Sequence, residues 1–395
     1  MFRKIPIIGS SIKARDILYA ARRAHDGAAA DEFADALVIY SGKSRVLLTD
    51  SGISAFYVIL EALKRRSPGR DEVVLPAYTA GSLVVAAKKA GLKVILCDIS
   101  PDDFNMDTSL LAGLLSDRTL AVVCVHMFGI GMSAIERARA VIPAGVCMIE
   151  DCAQAMGSEV GGKLVGNTGE VSFYSFARGK NLQAHGGGAV LTGSDSLAVD
   201  ISESYGRLMA GGQRQKGLEL IVNASLFQLA VQPHIYGPAY RFISNFKDTR
   251  PPADIVVGPM APFQAALASR LIARAGRMSL ARYSNGMRML QELEGLDAVT
   301  APKISGSDRP AFNRLPVMFK DAAARCAAEK SLEAAGIESS RMYEKPLHLM
   351  FELGFKFDEF PRARRFADGL LTLPVYPSLA VGAPEEIARV IMEAL

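Results

Sequence analysis

The sequence has no tryptophan, only five histidines and only five cysteines in 395 residues. Cys97, Cys124, Cys147, Cys152 and Cys326 form no C-x-x-C pair, so the usual spacing of a structural zinc site or a dithiol redox centre is missing. Four of them lie in or beside apolar runs and read as buried thiols of a reducing compartment, and no metal site is expected. Charge of one sign is also scarce. The net charge is +4 and acidic residues are interspersed with basic ones, which argues against a nucleic-acid partner. The N-terminal MFRKIPIIGSSIKARDILYAARRAHDG carries charge on both sides of a very short apolar run and so lacks the stretch a signal peptide needs. Cytoplasmic residence is the expectation. Leu218 to Tyr240 is the nearest approach to a membrane segment, but Asn223, Gln228, Gln232, Pro233, His234 and Pro238 interrupt it. It reads as a buried or subunit-interface element and not as a membrane contact. No G-x-G-x-x-G follows the first strand, which disfavours a dinucleotide site, and no internal repeat is evident.

What is present is a soluble globular composition, half hydrophobic and 22% charged, on a chain too long for one compact core. A large domain over residues 1–250 and a smaller α+β domain over 251–395 are expected, divided near Pro251-Pro252. From about residue 50 to 192, apolar runs alternate with helical patterns. Val73 to Pro76, Val94 to Ile99, Leu120 to Met127 and Val146 to Ile149 lack period-two alternation, as parallel strands covered on both faces do. Ser51 to Arg65 reads as a helix with Phe56, Leu60 and Leu63 on its apolar face. Val171 to Phe176 and Ala189 to Thr192 read as further strands. Downstream, Gln264 to Leu293 gives one long helical pattern, Phe312 to Phe319 a strand, Ala322 to Ala335 a helix ending at Gly336, and Glu385 to Leu395 a final helix.

Three elements carry chemistry. The buried run Cys147 to Gln154 ends in adjacent carboxylates, Glu150 and Asp151, and ligands of open α/β sheets gather at the carboxyl ends of strands. An acid in that place also serves simply as a helix cap. Tyr174 to Lys180 puts a lysine in a glycine-rich turn five residues after Ser175, where it could hold a carbonyl while the serine binds phosphate. Ser51-Gly52-Ile53 opens a helix, where free amides and the helix dipole favour an anion. An anion cradle, a strand-end acid and a reactive amine are together the parts of a pyridoxal-phosphate site.

In order and spacing these elements resemble the DegT/DnrJ/EryC1/StrS family of sugar aminotransferases. The resemblance runs through LTDSGISAF, GRDEVVLPAYTAGS, GLKVILCDISPDDFNMD, RTLAVVCVHMFG, IEDCAQAMGS, GGKLVGNTGEVSFYSFARGKNL, GIESSRMYEKPLHL and LPVYPSL. It implies the α/β fold of the pyridoxal-phosphate-dependent transferases (aspartate aminotransferase, fold type I), with a large, mostly parallel-sheet domain and a smaller C-terminal α+β domain. It further implies pyridoxal 5'-phosphate as cofactor, an amino-acid donor such as glutamate, a nucleotide-linked keto-sugar acceptor for polysaccharide or glycoside biosynthesis, and a homodimer. Residue by residue, Lys180 would bond the cofactor, Asp151 would keep its ring nitrogen protonated and Gln154 would lie near the ring hydroxyl. Ser175 with the amides of Gly52 and Ile53 would bind its phosphate. His126, Arg178, Asn181, His185 and His348 are candidate substrate contacts. Two departures stand out. The family's aromatic after the P-x-x-T segment is here Ala80, followed by Gly81, leaving Tyr78 as the nearest ring for stacking. The family's G-x-N-x-R segment has no counterpart around Tyr205 to Leu226. A cofactor-binding regulatory protein without turnover is one rival reading. A sugar dehydratase is another, but those relatives carry histidine where this chain has Lys180.

Overall fold

The computed structural model describes residues 4–209, 217–243 and 251–395. Its centre is a seven-stranded sheet made of β1 (Arg45–Thr49), β2 (Glu72–Pro76), β3 (Lys93–Cys97), β4 (Thr119–Val125), β5 (Cys147–Asp151), β8 (Val171–Ser175) and β9 (Gly188–Thr192). A short hairpin, β6 (Glu159–Val160) and β7 (Lys163–Leu164), stands apart from it. In the order β1-β9-β8-β5-β4-β2-β3, the strands from β8 to β3 are mutually parallel, whereas β9 runs antiparallel to both β8 and β1. Every residue of β2, β4, β5 and β9 is buried, which is why these runs lack alternation: helices cover both faces of the sheet.

The helix Gly52–Arg66 begins where expected. The Ser51 hydroxyl caps it by accepting from the Ser54 amide at 3.2 Å, and its buried face packs on β8 and β9. The long helical pattern of Gln264 to Leu293 is instead two helices, Pro262–Ile272 and Ala275–Glu292, separated at Ala273 and Arg274. The two segments bury their apolar faces against different partners, and periodicity does not reveal a change of partner.

The first of these helices, although it follows residue 250, packs on elements that precede it. Met260, Phe263, Ala265 to Ala268 and Leu271 pack with Phe33, Leu37, Tyr174 and Phe176, so Pro262–Ile272 lies on the helices Ala14–Arg22 and Ala28–Ser41 of the large body. The expected boundary itself falls just after residues 244–250, outside the described part. Beyond it, β10 (Val299–Thr300), β11 (Leu315–Phe319) and β12 (Leu370–Leu373) form an antiparallel sheet, with the helices Ala322–Ala334, Pro361–Gly369 and Ala383–Met392 packed alongside.

Leu218 to Tyr240 contains the helices Gly217–Ala230 and Pro233–Ile243. One face is buried, with Ala224, Val231 and Tyr236 inside, whereas Leu218, Val222, Leu226 and Leu229 form an outward row that is 47–74% exposed. No helix among the described residues is long and apolar enough to cross a membrane.

Candidate active site

The chemistry-bearing residues gather at the carboxyl ends of the parallel strands. The glycines decide how closely the parts approach. A Cβ on Gly188 would stand 2.4 Å from the Ser51 carbonyl carbon, and one on Gly52 would stand 2.6 Å from the Ser175 Cβ. Without side chains at these two positions, the end of β8 and the first turn of the helix Gly52–Arg66 lie in contact. The amides of Gly52 and Ile53 have no i−4 acceptor in that helix, and Gly52 lies against Ser175, so this helix start with a hydroxyl at its side is able to receive an anion.

Asp151 ends β5, between β4 and β8, and is buried. Its Oδ1 accepts the Ala153 amide at 2.9 Å, and no other described residue donates to the carboxylate. Burial raises its pKa, against the pull of the Ala153 amide and of the charges on Lys180 and His126. Lys180 shows the opposite shift: burial lowers it and Arg314 adds to the fall, while Asp151 opposes both. A buried acid and a half-buried amine therefore lie near one another without a direct ion pair.

The loop carrying Lys180 is held rigidly. Phe176 N–H donates to Gly187 O at 2.9 Å, and Ala184 N–H donates to Phe176 O at 2.7 Å. The Asn313 amide nitrogen donates to Gly179 O at 2.6 Å and to Asn181 Oδ1 at 3.1 Å. Gln154 is buried, and its Oε1 accepts the Phe128 amide at 3.2 Å, holding a residue whose φ is +59°.

Of the proposed substrate contacts, several belong to the scaffold. His126 is fully buried: its Nε2 pairs with Glu150 Oε2 at 2.9 Å, and its Nδ1 accepts from the Met132 amide at 3.0 Å. Both ring nitrogens are thus engaged away from the site, which the strand-end position could not disclose. His126, Glu150 and Cys152 gather within 4.8 Å, but amides of Gly166, Thr168 and Gly169 already occupy the Glu150 oxygens. Asn181 donates to Ala311 O and Met156 O and so joins two segments. The His348 ring lies against Phe360, with Nε2 3.2 Å from Phe357 O. Arg178 is exposed and His185 half-buried, and both lie against the Phe227 ring. Burial, with Arg178 nearby, lowers His185 to about 4.

Tyr78, the nearest ring expected for stacking, is engaged by the scaffold. It is buried among Phe128, Phe366 and Tyr343, and its hydroxyl donates to Tyr343 O at 2.9 Å while accepting from Tyr343 N–H at 3.2 Å. Its work is to hold up Tyr343, a half-buried ring whose phenol is pushed up by burial and by the Asp151 charge, and is met by Gln154. Tyr343 lies inside the GIESSRMYEKPLHL stretch, whereas nothing in the local pattern marked Arg314. The stretch Tyr205 to Leu226, where the G-x-N-x-R segment has no counterpart, includes residues 210–216, which lie outside the described part.

The donor set fits pyridoxal phosphate. The cradle of Gly52, Ile53 and Ser175 suits its phosphate, Asp151 suits a protonated ring nitrogen, and Lys180 suits its aldehyde. Comparison with known proteins agrees. The chain is 27% identical over 383 residues to the dTDP-3-amino-3,4,6-trideoxy-alpha-D-glucose transaminase of Micromonospora megalomicea subsp. nigra, covering 93% of this chain and 90% of that protein. It is 27% identical over 362 residues to the pleiotropic regulatory protein of Geobacillus stearothermophilus, covering 90% and 87%. PseC of Helicobacter pylori, an aminotransferase involved in the biosynthesis of pseudoaminic acid, superposes with a TM-score of 0.80 at 18% identity over 99% of both chains. The fold is accordingly that of the fold type I transferases. The family match spans residues 11–230 and 255–394, and the chain belongs to the DegT/DnrJ/EryC1/StrS aminotransferase family.

Proposed function

We propose that the protein is a pyridoxal-phosphate-dependent aminotransferase that moves an amino group from glutamate to a nucleotide-linked keto-sugar. The observation that carries this reading is the pair of buried Asp151 and half-buried Lys180, one pushed towards its protonated form and the other towards its neutral form, beside the helix start at Gly52 and Ser175. Burial of Asp151 without a cationic partner is unfavourable, and a protonated ring nitrogen supplies the missing cation. Pyridoxal phosphate, when bound, contributes an electron-accepting ring that makes the donor's Cα proton acidic.

The chain's own groups do the rest. Gly52, Ile53 and Ser175 bind the phosphate and fix the cofactor's position. Asp151 holds the proton at the ring nitrogen. Lys180 would hold the aldehyde carbon and, once freed by the donor amine, would take the proton from the donor's Cα and deliver it to that former aldehyde carbon, which leaves the amino group behind. Its lowered pKa leaves more neutral amine for that task at working pH. Gln154 and Tyr343 close the side of the site next to Asp151. A nucleotide-linked acceptor is supported by the Micromonospora relative, whose name carries a dTDP-linked amino sugar.

We place the protein in the cytoplasm as a homodimer, with the exposed row Leu218, Val222, Leu226 and Leu229 as a surface that a second copy could cover. Of two domains, the larger includes the helix Pro262–Ile272.

The test is the visible spectrum of the protein with pyridoxal phosphate, before and after glutamate, beside Lys180→Ala. A violet-region band that shifts with glutamate and is missing from the variant is expected. No band in the wild type refutes the cofactor assignment. A band indifferent to every amino donor favours the regulatory reading, to which the likeness to the pleiotropic regulatory protein and the aliphatic Ala80 lend weight.

A further inference from the structure

Asp50 is an acid without a cation. Its Oδ1 is closed off from solvent with no hydrogen-bond partner, and no described residue forms an ion pair with it. Other acids are served: Asp16 pairs with Arg274, Asp98 accepts the Arg362 and Ala363 amides, and Glu385, which also has one unpartnered oxygen, pairs with Arg288 through the other. Among the described residues, burial outweighs the stabilising bonds at two carboxyls only, Asp151 and Asp50, and pushes both up from the ordinary value. Asp151 has its partner at the cofactor's ring nitrogen in the reading above. Asp50 has no such partner.

Its place is at the other end of the cofactor, where the phosphate is held. Ser51 alone separates it from Gly52 in the chain, and its backbone is fixed: its amide donates to Gly258 O and its carbonyl accepts the Gly187 amide, both at 2.8 Å. The carboxylate lies against Gly258, where a Cβ would stand 3.8 Å from its Cγ. It is met by the Ser54 hydroxyl and the Ser51 amide at the start of the helix Gly52–Arg66, and by the Gly258 amide. Tyr205, on the helix Asp195–Leu208, is the titratable group that faces it, with a phenol pushed up to about 12 by burial and by the Asp50 charge. Gly187, Gly258 and Ser54 bring no charge. An ionised Asp50 therefore draws on the same helix start that would receive a phosphate. A phosphate adds a charge of about −1.5 to −2 there. Two anions so placed repel, and the carboxyl gives way because burial already favours its neutral form.

We propose, on the pyridoxal-phosphate reading above, that Asp50 couples cofactor capture to a proton: as the phosphate enters the helix start at Gly52, the Asp50 carboxylate takes one proton from solvent, and it releases that proton when the phosphate leaves. Affinity is then full below the folded pKa of Asp50 and falls, by up to about tenfold per pH unit, as pH rises through it. The cofactor is held more loosely at alkaline pH than the helix start and Ser175 alone would hold it.

The experiment uses the full chain freed of cofactor. It is titrated with pyridoxal 5'-phosphate, and with pyridoxal, which has the aldehyde but no phosphate, by calorimetry in two buffers of different ionisation enthalpy from acid to alkaline pH. Wild-type protein should take up more protons with pyridoxal phosphate than with pyridoxal, by a difference that approaches one. Asp50→Asn, neutral at every pH, should lose that difference. It should bind pyridoxal phosphate about 10- to 100-fold tighter than the wild type at alkaline pH and match it at acid pH. Asp50→Ala should move in the same direction, and it carries the test if Asp50→Asn does not fold. The same proton count and pH profile in wild type and variant overturn the coupling alone. A variant that binds more weakly at every pH also overturns it, because the carboxylate then supports the phosphate instead of opposing it. Wild-type protein that binds no pyridoxal phosphate overturns the coupling together with the cofactor reading.

Discussion

Gly52→Ala isolates the close approach on which the phosphate cradle depends. The new Cβ would lie 2.6 Å from Ser175 Cβ, 3.1 Å from its Oγ and 3.2 Å from its Cα. Carbon atoms at rest stay about 3.5–4.0 Å apart, so the two elements must separate by roughly 1 Å. Neither yields easily. Ser175 ends a strand that pairs with both β5 and β9, and Ser51 is pressed against Gly188 on its other side. Overpacking of this kind costs about 1–3 kcal/mol of stability. The separation also draws the Ser175 hydroxyl away from the Gly52 and Ile53 amides, so that one anion cannot be held by all three. Loss of one hydrogen bond to a charged group costs about 1.5–3 kcal/mol, which is roughly a 10- to 100-fold weaker dissociation constant for pyridoxal phosphate. Because the chain lacks tryptophan, quenching of tyrosine emission together with the cofactor absorbance follows the titration. Ser175→Ala, which deletes the hydroxyl without forcing the backbones apart, should lie at the lower end of that range. The two substitutions together should cost less than their sum, because they remove the same contact. A Gly52→Ala protein that melts near the wild type and binds pyridoxal phosphate within about threefold of it would refute the cradle, since the lost bond alone predicts more.

Two further outcomes follow from buried charge. Glu150 accepts the Gly166, Thr168 and Gly169 amides and the His126 ring, so Glu150→Ala strands three backbone donors at about 1–3 kcal/mol each. A severe fall in melting temperature or failure to fold is expected, and a near-wild-type melting curve would refute it. Burial pushes Glu150 up, but the bonds from His126 and the amides outweigh it and hold it below its ordinary value. That contribution is therefore complete above the unfolded carboxylate pKa of about 4.3 and disappears as pH falls through the folded value, which an acid-unfolding titration reads. Lys180 moves the other way. Capture of pyridoxal phosphate by cofactor-free protein needs the neutral amine, so its rate should rise with pH and level off below the ordinary lysine pKa of about 10.4. Asp151→Asn, by deleting the charge that opposes this fall, should move the rise to lower pH. Stopped-flow absorbance measures it, and a rise centred on the ordinary value contradicts the buried-amine reading.

The central sheet was legible because burial on both faces leaves its mark in the residues themselves. Val73 to Pro76, Leu120 to Met127 and Val146 to Ile149 are continuous apolar runs, and no other environment in a soluble α/β chain requires them. The order of Ser51-Gly52, Asp151 with Gln154, and Ser175 with Lys180 is what the proposed cofactor chemistry rests on, and it was readable because each element is local: a helix start, a strand end and a turn. Local pattern failed where a side chain's role depends on a distant partner. His126 and Asn181 sit beside candidate residues in sequence, yet Glu150 and Met132 satisfy one, while Ala311 and Asn313 satisfy the other. The break at Ala273 and Arg274 was hidden because both helices keep the same period while changing the surface they cover. Sequence alone thus determined the family and the mostly parallel order of the strands at whose ends the proposed cofactor residues lie. Only the tertiary structure decided that Tyr78 supports Tyr343 beside Asp151, and that Arg314, far along the chain, comes near Lys180 with no ion-pair partner among the described residues. Pairing and its absence are long-range facts: a charge is satisfied or left open by whichever groups the folded chain brings within about 3 Å of it.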